Sequence, residues 1–346
     1  MWRMDIRQNV SLADYSTMGL GGPARYLVEI NERTEIPEAL QWAKSQNVPT
    51  VMIGGGSNIV WSDNGFSGLV MVNKILGYEV YEEDETNTYI TIGAGEPWDS
   101  VVERSVAAGL SGIEALSLIP GTTGATPIQN VGAYGQEISE TLTTVEAFDT
   151  QSNDFEAIPV IECGFGYRTS RFKTTDKKRF YITSVTLHLL KTNPLPPFYN
   201  AVQDYLEERG ITDYTPAIIR QAVVDIRTAK LPDPAVVRNC GSFFANPIII
   251  DGQFRHLTEK YSFIPHWSVE GNRVKLSAAW LIEQAGFKDA HDEATGMATW
   301  PKQPLVLVNE YARTTADLLA FKQKIVDAVE KKFGITLEQE PEQMDS

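Results

Sequence analysis

Two stretches of this chain combine glycine with short hydroxyl and amide side chains, a chemistry suited to holding an anionic ligand. The first is Gly54-Gly55-Gly56-Ser57-Asn58, directly after the apolar run VPTVMI at 48–53. Glycine permits positive φ and leaves the backbone N–H groups uncovered. Successive amides in such a turn form a concave anion site that suits a pyrophosphate, and Ser57 and Asn58 add short donors. A tight turn with no ligand is the other reading of the triplet taken alone. The second stretch runs Pro120-Gly121-Thr122-Thr123-Gly124-Ala125-Thr126-Pro127-Ile128-Gln129-Asn130-Val131-Gly132-Ala133-Tyr134-Gly135. It is too long for a turn, too poor in apolar residues for core, and almost without charge. Long ordered loops inside compact domains are usually functional. Two such loops in one N-terminal region favour a dinucleotide lying between two subdomains.

A third glycine cluster points elsewhere. Gly19-Leu20-Gly21-Gly22-Pro23-Ala24 formally fits G-x-G-x-x-G/A. No apolar strand precedes it, and Pro23 followed by RYLVEI predicts entry into a strand, not a helix. The Rossmann context is missing, so a nicotinamide-binding Rossmann domain is excluded.

Hydrophobic periodicity supplies the elements that must carry these loops. Helices are predicted at 36–46, 98–109, 200–209, 216–229, 276–285 and 315–333. Strands are predicted at 48–53, 68–73, 88–95, 143–149, 155–160, 179–190 and 304–309, and 192–198 is a proline-rich connection. The fold class is α+β. Domains are expected at 1–80, at 81–228 with an insertion at 192–215, and at 229–346. An acidic run, Glu338 to Ser346, closes the chain.

Bulk properties exclude several classes of function. The formal charge is −15, from 45 acidic and 30 basic residues. A field of that sign repels a phosphate backbone, so no nucleic-acid partner is expected, and a phosphorylated metabolite needs a local convergence of cations. No run of 18 apolar residues and no apolar leader is present, so neither a membrane span nor secretion is expected, and the cytoplasm is the default. The two cysteines, Cys163 and Cys240, fit a reducing compartment. The four histidines show no metal-ligand spacing, and no metal is expected.

Five segments, in order, carry a family resemblance: IGGGSN (53–58), IPGTTGATPIQNVGAYG (119–135), CGFGYRTSRFK (163–173), RTAKLPDP (227–234) and GSFFANP (241–247). They resemble the UDP-N-acetylenolpyruvoylglucosamine reductase (MurB) family, within the PCMH-type, vanillyl-alcohol-oxidase-like superfamily of flavin-binding domains. The resemblance covers nearly the whole chain. The insertion 192–215 is similar to the type I subgroup, in which a tyrosine-bearing loop closes over the substrate.

The resemblance implies a two-subdomain FAD-binding domain followed by a smaller α+β substrate-binding domain. It implies NADPH-dependent, FAD-mediated reduction of UDP-N-acetyl-3-O-(1-carboxyvinyl)-glucosamine to UDP-N-acetylmuramate, by a monomer, in peptidoglycan precursor synthesis. Many oxidases of the superfamily tether flavin through histidine, and residues 1–187 contain none, so the FAD is expected to be non-covalent. By the same resemblance Arg168, Ser242 as proton donor and Glu340 are the catalytic residues. The FAD contacts are Gly54, Gly55, Gly56, Ser57, Asn58, Pro120, Gly121, Gly124, Ala125, Thr126, Ile128, Gln129, Asn130, Gly132, Ala133, Tyr134, Arg168 and Ile182. The substrate contacts are Tyr134, Tyr199, Lys230, Asn246 and Gln303. Three positions depart from the family pattern: Thr169 stands where an aspartate is common, Trp300 near a common histidine, and Gln339-Glu340-Pro341-Glu342 in place of the family's P-E-V-R. Glu338 is therefore an alternative to Glu340, and a solvated acidic tail is a third reading of that segment. Another flavin oxidoreductase of the superfamily and a non-catalytic nucleotide-sugar binding protein remain open alternatives.

Overall fold

The structure, a computed structural model, describes residues 4–344. The last two residues of the acidic run lie outside that range. The chain divides into two compact units. One gathers the described residues up to Val10 with Ala24–Gly55 and Ser67–Ala229; the other gathers Ser11–Pro23, Gly56–Phe66 and the residues from Lys230 onward.

Two sheets build the first unit. A four-stranded sheet runs in the order Arg7–Ser11, Pro23–Ile30, Phe66–Asn73, Thr50–Ile53. Pro23 can open its strand because the first strand residue need not donate a ladder hydrogen bond. The last pair is parallel, with Thr50 opposite Leu69. Helix Glu35–Ser45 buries Ile36, Ala39 and Ala43 against this sheet. Its start is fixed by the Glu35 carboxylate, which accepts the N–H groups of Asn31 at 2.7 Å and Glu32 at 3.1 Å. The predicted strand 48–53 begins only at Thr50, because Val48 N–H still donates to Ala43 O at the helix end.

The second sheet is antiparallel, in the order Asp154–Pro159, Leu142–Asp149, Phe180–Leu190, Asn87–Gly93, Tyr78–Glu83. Helix Trp98–Ala107 packs Trp98, Val101, Val102 and Val106 on it. That helix stops two residues before its predicted end, where Gly109 takes φ +75°, the left-handed conformation that commonly closes helices. Helices Asn200–Glu208 and Pro216–Lys230 form a smaller core with Val202, Leu206, Ile219, Ala222 and Val223.

In the second unit, a four-stranded sheet runs Asn239–Ser242, Gln303–Asn309, Met297–Trp300, His291–Asp292, beside a three-stranded sheet of Ile248–Ile250, Arg273–Leu276 and His266–Val269. Helix Thr315–Phe333 buries Leu318, Phe321, Ile325, Val326 and Val329. A Thr314/Asp317 capping box starts it and Gly334 at φ +65° ends it. The reading of the acidic run as a solvated tail is corrected for its described part: Glu342–Met344 pairs in parallel with Ile59–Trp61. The glycines of the rejected Rossmann motif let chain segments approach, since a Cβ on Gly22 would lie 2.1 Å from Asp63 O. Among the described residues no helix is long and apolar enough to cross a membrane.

One ion pair in the first unit sets a pH dependence. The Asp149 carboxylate is fully shielded, and Arg179 meets it through Nη2 at 2.6 Å and Nε at 2.8 Å. Those hydrogen bonds outweigh burial and hold the carboxyl well below the usual range. A depressed folded-state pKa contributes stability that is full above the unfolded value of about 3.9 and is lost as pH falls through the folded pKa. Asp149→Asn should therefore lower Tm by a constant amount from pH 7 to 5. The gap to the parent should narrow below about pH 4. A gap that widens in acid would contradict the assignment.

Candidate functional site

The two glycine-rich loops meet in the first unit. A Cβ built on Gly54 would lie 2.1 Å from Thr122 Oγ1, and one on Gly55 would lie 3.2 Å from Gly121 Cα. Here glycine is required by close approach. Gly54 follows strand Thr50–Ile53 directly, so the strand end delivers the first loop. The second loop is held by Trp98 N–H on Gly121 O (3.0 Å), Thr123 N–H on Glu96 O (2.9 Å) and Gly124 N–H on Ala94 O (2.9 Å). Thr123 and Thr126 are buried, while Ala125 is exposed. Bare backbone flanked by hydroxyls fits a diphosphate-bearing cofactor such as FAD.

Farther along, the loop turns back on itself. Gly132–Ala133 pairs with Gln136–Glu137 across Tyr134 and Gly135, both at positive φ (48° and 87°). Asn130, buried and also at positive φ, donates to Glu137 Oε2 at 2.7 Å and accepts Ser139 N–H at 3.2 Å. Arg168 sits in a two-residue turn closed by hydrogen bonds between Gly166 and Thr169, with its own φ at +55°. Its Nη2 donates to Gly132 O at 2.7 Å, and Ser170 Oγ donates to Ile128 O at 2.6 Å. The arginine is thus fastened to the same loop that carries Tyr134. Ile182 is buried in the second-sheet core, with its carbonyl accepting from Asn73 Nδ2.

Tyr134 and Tyr199 contact edge to face with centroids 5.7 Å apart. Both line a cavity of about 360 Å³ with Glu114, Gln136 and the 190–199 segment. Burial raises the Tyr134 pKa despite the nearby charge of Arg227, so the phenol is neutral at pH 7. Arg227 itself was not singled out from the sequence, although it opens the RTAKLPDP motif. Its Nε is shielded from solvent and hydrogen-bonds no other described group. Burial lowers its pKa against the opposing effects of Tyr134 and Asp99.

In the second unit the chain end reaches the Gly241–Pro247 motif. Glu340 N–H donates to Phe243 O and Ala245 N–H to Glu338 O, both at 3.0 Å, around a Phe244–Gln339 bridge. Ser242 lies one residue from that ladder and pairs with Val306. Glu340 is half-buried, whereas Glu338 is exposed. The Cys240 thiol is pushed up to about 12, by burial first and then by the charge of Glu340. Asn246 Oδ1 accepts Ala278 N–H at 2.9 Å, so this side chain offers a ligand its N–H donors. The exposed Lys230 has its carbonyl bound by Trp300 Nε1 at 3.0 Å, and Gln303 closes the hairpin from Trp300. A larger cavity of about 430 Å³, lined by Arg238, His291, Trp300 and Glu310 among others, contains none of the expected site residues.

Residues 24–153 match the FAD binding domain family, and this fold with these loops defines a flavoprotein with a PCMH-type FAD-binding domain. Residues 233–344 match the UDP-N-acetylenolpyruvoylglucosamine reductase C-terminal domain. The chain is 40% identical to the UDP-N-acetylenolpyruvoylglucosamine reductase of Thermobifida fusca, over 96% of each chain. It is 36% identical to that of Pseudomonas aeruginosa, over 98% of each. The crystal structure of the Thermus caldophilus reductase shares the fold over the full length of both chains, at 23% identity and a TM-score of 0.67. The chain belongs to the UDP-N-acetylenolpyruvoylglucosamine reductase family.

The loop contact is open to a direct check. Gly54→Ala should destabilise the protein by about 1–3 kcal/mol in urea unfolding, the usual range for overpacking. Adding Thr122→Ala should restore most of the loss. A Gly54→Ala protein as stable as its parent would mean the loops lie farther apart.

Proposed function

We propose that this chain reduces the enolpyruvyl double bond of UDP-N-acetyl-3-O-(1-carboxyvinyl)-glucosamine to give UDP-N-acetylmuramate, acting as a cytoplasmic monomer in peptidoglycan precursor synthesis. The observation that carries this reading is the close contact between Gly54-Gly55 and Gly121-Thr122, in a chain whose full-length relatives are reductases of that name. Residues 1–80 and 81–228 serve as FAD-binding subdomains and 229–346 as the substrate domain.

Bound FAD supplies hydride transfer from NADPH to the substrate alkene. The chain supplies the rest. The amides and hydroxyls of 54–58 and 120–134 hold the cofactor. Arg168 keeps its charge when desolvated and meets the substrate carboxylate in a fork, so it stabilises the enolate-like charge that develops there. Its strained backbone fixes where the guanidinium points.

Ser242 delivers the proton to the neighbouring carbon. A hydroxyl is a weak acid, so a second group must assist it. Glu340, half-buried and tied by its N–H to Phe243, is that group, in preference to the exposed Glu338. The Asn246 amide and Lys230 ammonium bind the diphosphate, because both present donors. Gln303 contacts the same ligand, Tyr199 stacks near the uridine, and Tyr134 adjoins both ligands.

Purified protein should be yellow, and acid precipitation should release the flavin into the supernatant. Ser242→Ala should keep FAD and UDP-sugar affinity while kcat falls about 10²–10⁴-fold, the range for losing a general acid. Unchanged turnover in that variant would remove Ser242 from the chemistry. Glu340→Gln should lower kcat by at least about tenfold, and Glu338→Gln by less than about twofold. The opposite ranking would reassign the glutamate.

A further inference from the structure

Leu118 stands just ahead of the second glycine-rich loop in a conformation its side chain disfavours. Its φ is +55°, where the Cβ of an L-residue crowds the backbone. The side chain is 36% exposed, so core packing does not hold it there. Polar groups grip the backbone on both sides. Leu118 N–H donates to Asp99 Oδ1 at 2.6 Å, and Leu118 C=O accepts from Arg227 Nη2 at 3.2 Å.

Asp99 is held in its turn. Arg220 forks onto it, Nη1 to Oδ1 at 2.7 Å and Nη2 to Oδ2 at 3.0 Å. The same Nη1 donates to Ser117 Oγ at 2.8 Å, and the fully buried Ser117 donates to Glu114 O at 2.7 Å. Arg220 and Arg227 lie seven residues apart on helix Pro216–Lys230, two turns along one face. Burial would raise the Asp99 pKa, but the Arg220 hydrogen bonds, the Leu118 N–H and the charges of both arginines outweigh it, so the carboxylate stays ionised. Three residues after Leu118 comes Gly121, followed by Thr122, the pair that meets Gly55 and Gly54.

We propose that Asp99, braced by Arg220, is a positioning residue that holds the strained Leu118 peptide and so sets Gly121 and Thr122 for FAD binding. This rests on the reading of the two loops as the FAD seat. A plain helix-to-helix ion pair would leave the same contacts but would not depend on the residue at position 118. Glycine adopts φ +55° without strain, so with glycine there the clamp has nothing to hold.

The test is a double-mutant cycle on apoprotein titrated with FAD, read by quenching of flavin fluorescence, with circular-dichroism melts of each protein. Asp99→Asn leaves an amide N–H₂ facing either Arg220 or the Leu118 N–H, and should weaken FAD affinity on the order of tenfold. Leu118→Gly alone should bind within about twofold of the parent, and adding Asp99→Asn to it should cost less than about twofold more. An equal loss in both backgrounds, or an Asp99→Asn protein that binds FAD like the parent, overturns the clamp while leaving the FAD reading intact. A parent that binds no FAD overturns both. If Asp99→Asn does not fold, Arg220→Lys takes its place in the cycle, since lysine keeps a cation beside Asp99 but loses the fork and the Ser117 bond. The same pattern of rescue is then expected, and its absence has the same meaning.

Discussion

The first unit depends on one constraint: two polypeptide backbones approach more closely than any side chain allows. Gly54 and Gly55 lie against Thr122 and Gly121, and the contact continues down the chain. Cβ atoms on Gly93 and Gly95 would sit 2.5 Å from Ile75 O and Lys74 C. One on Gly124 would sit 2.5 Å from Ala94 Cβ. Segments 54–55, 121–124, 93–95 and 74–76 thus pack at distances that glycine permits, against backbone at 74–76 and Gly121 and against the small side chains of Thr122 and Ala94. Each brings hydrogen-bonding groups that core side chains would otherwise cover, which is what a polyanionic ligand needs. The two sheets and helix Trp98–Ala107 hold these crossings in place, with Trp98 Nε1 fastened to Leu116 O at 3.0 Å.

The second unit uses a different economy of parts. It is assembled from three stretches of chain, and the division falls inside the glycine triplet, between Gly55 and Gly56. Within it, Gly56 at φ +68° allows Tyr15 O to approach to 2.1 Å of where a Cβ would be, and its own carbonyl accepts Thr17 N–H. One triplet therefore does two jobs with different neighbours, which explains why three glycines are needed where a tight turn needs one. The end of the chain is recruited in the same manner. Its backbone pairs first with 243–245 and then with Ile59–Trp61, so a run that composition alone marks as solvated tail becomes structural.

What the sequence disclosed follows the length of its signals. Every helix and strand predicted from periodicity is present, with ends displaced by local chemistry. The predicted helix 276–285 begins at Ala278 because the Ser277 side chain caps Trp280 N–H. Three-residue strands such as Ile59–Trp61 and Glu342–Met344 carry no period to detect. The turn residues of the second loop, Asn130 and Tyr134, carry a visible chemistry in the sequence, whereas their positive φ follows only from the fold. Asp99 and Arg220 were invisible for another reason. They lie 121 residues apart, and an aspartate in a first helical turn reads as an ordinary dipole partner. Arg227 opens the RTAKLPDP segment, but nothing local in the sequence marks it apart from Lys230 three residues on.

Arg227 bears on how a protein of net charge −15 can hold an anion. Around the second loop, Asp99 contributes one negative charge, Arg220 and Arg227 one positive charge each, and Tyr134 none, because burial keeps its phenol protonated. Glu103 also acts on Arg220, and Glu137 is hydrogen-bonded to Asn130 of the loop, so cations and carboxylates are closely interleaved here. Burying a guanidinium is expensive unless its donors and charge are met. Arg227 is met in part: Nη2 reaches Leu118 O, the Tyr134 phenol hydrogen-bonds the guanidinium, Asp99 lies close enough to act on it, and Nε is shielded with no partner among the described residues. A buried cation beside a loop of exposed amides is stabilised further when a negative ligand arrives. The overall charge therefore says little about this locus, where the individual buried contacts decide because they are screened far less than exposed ones.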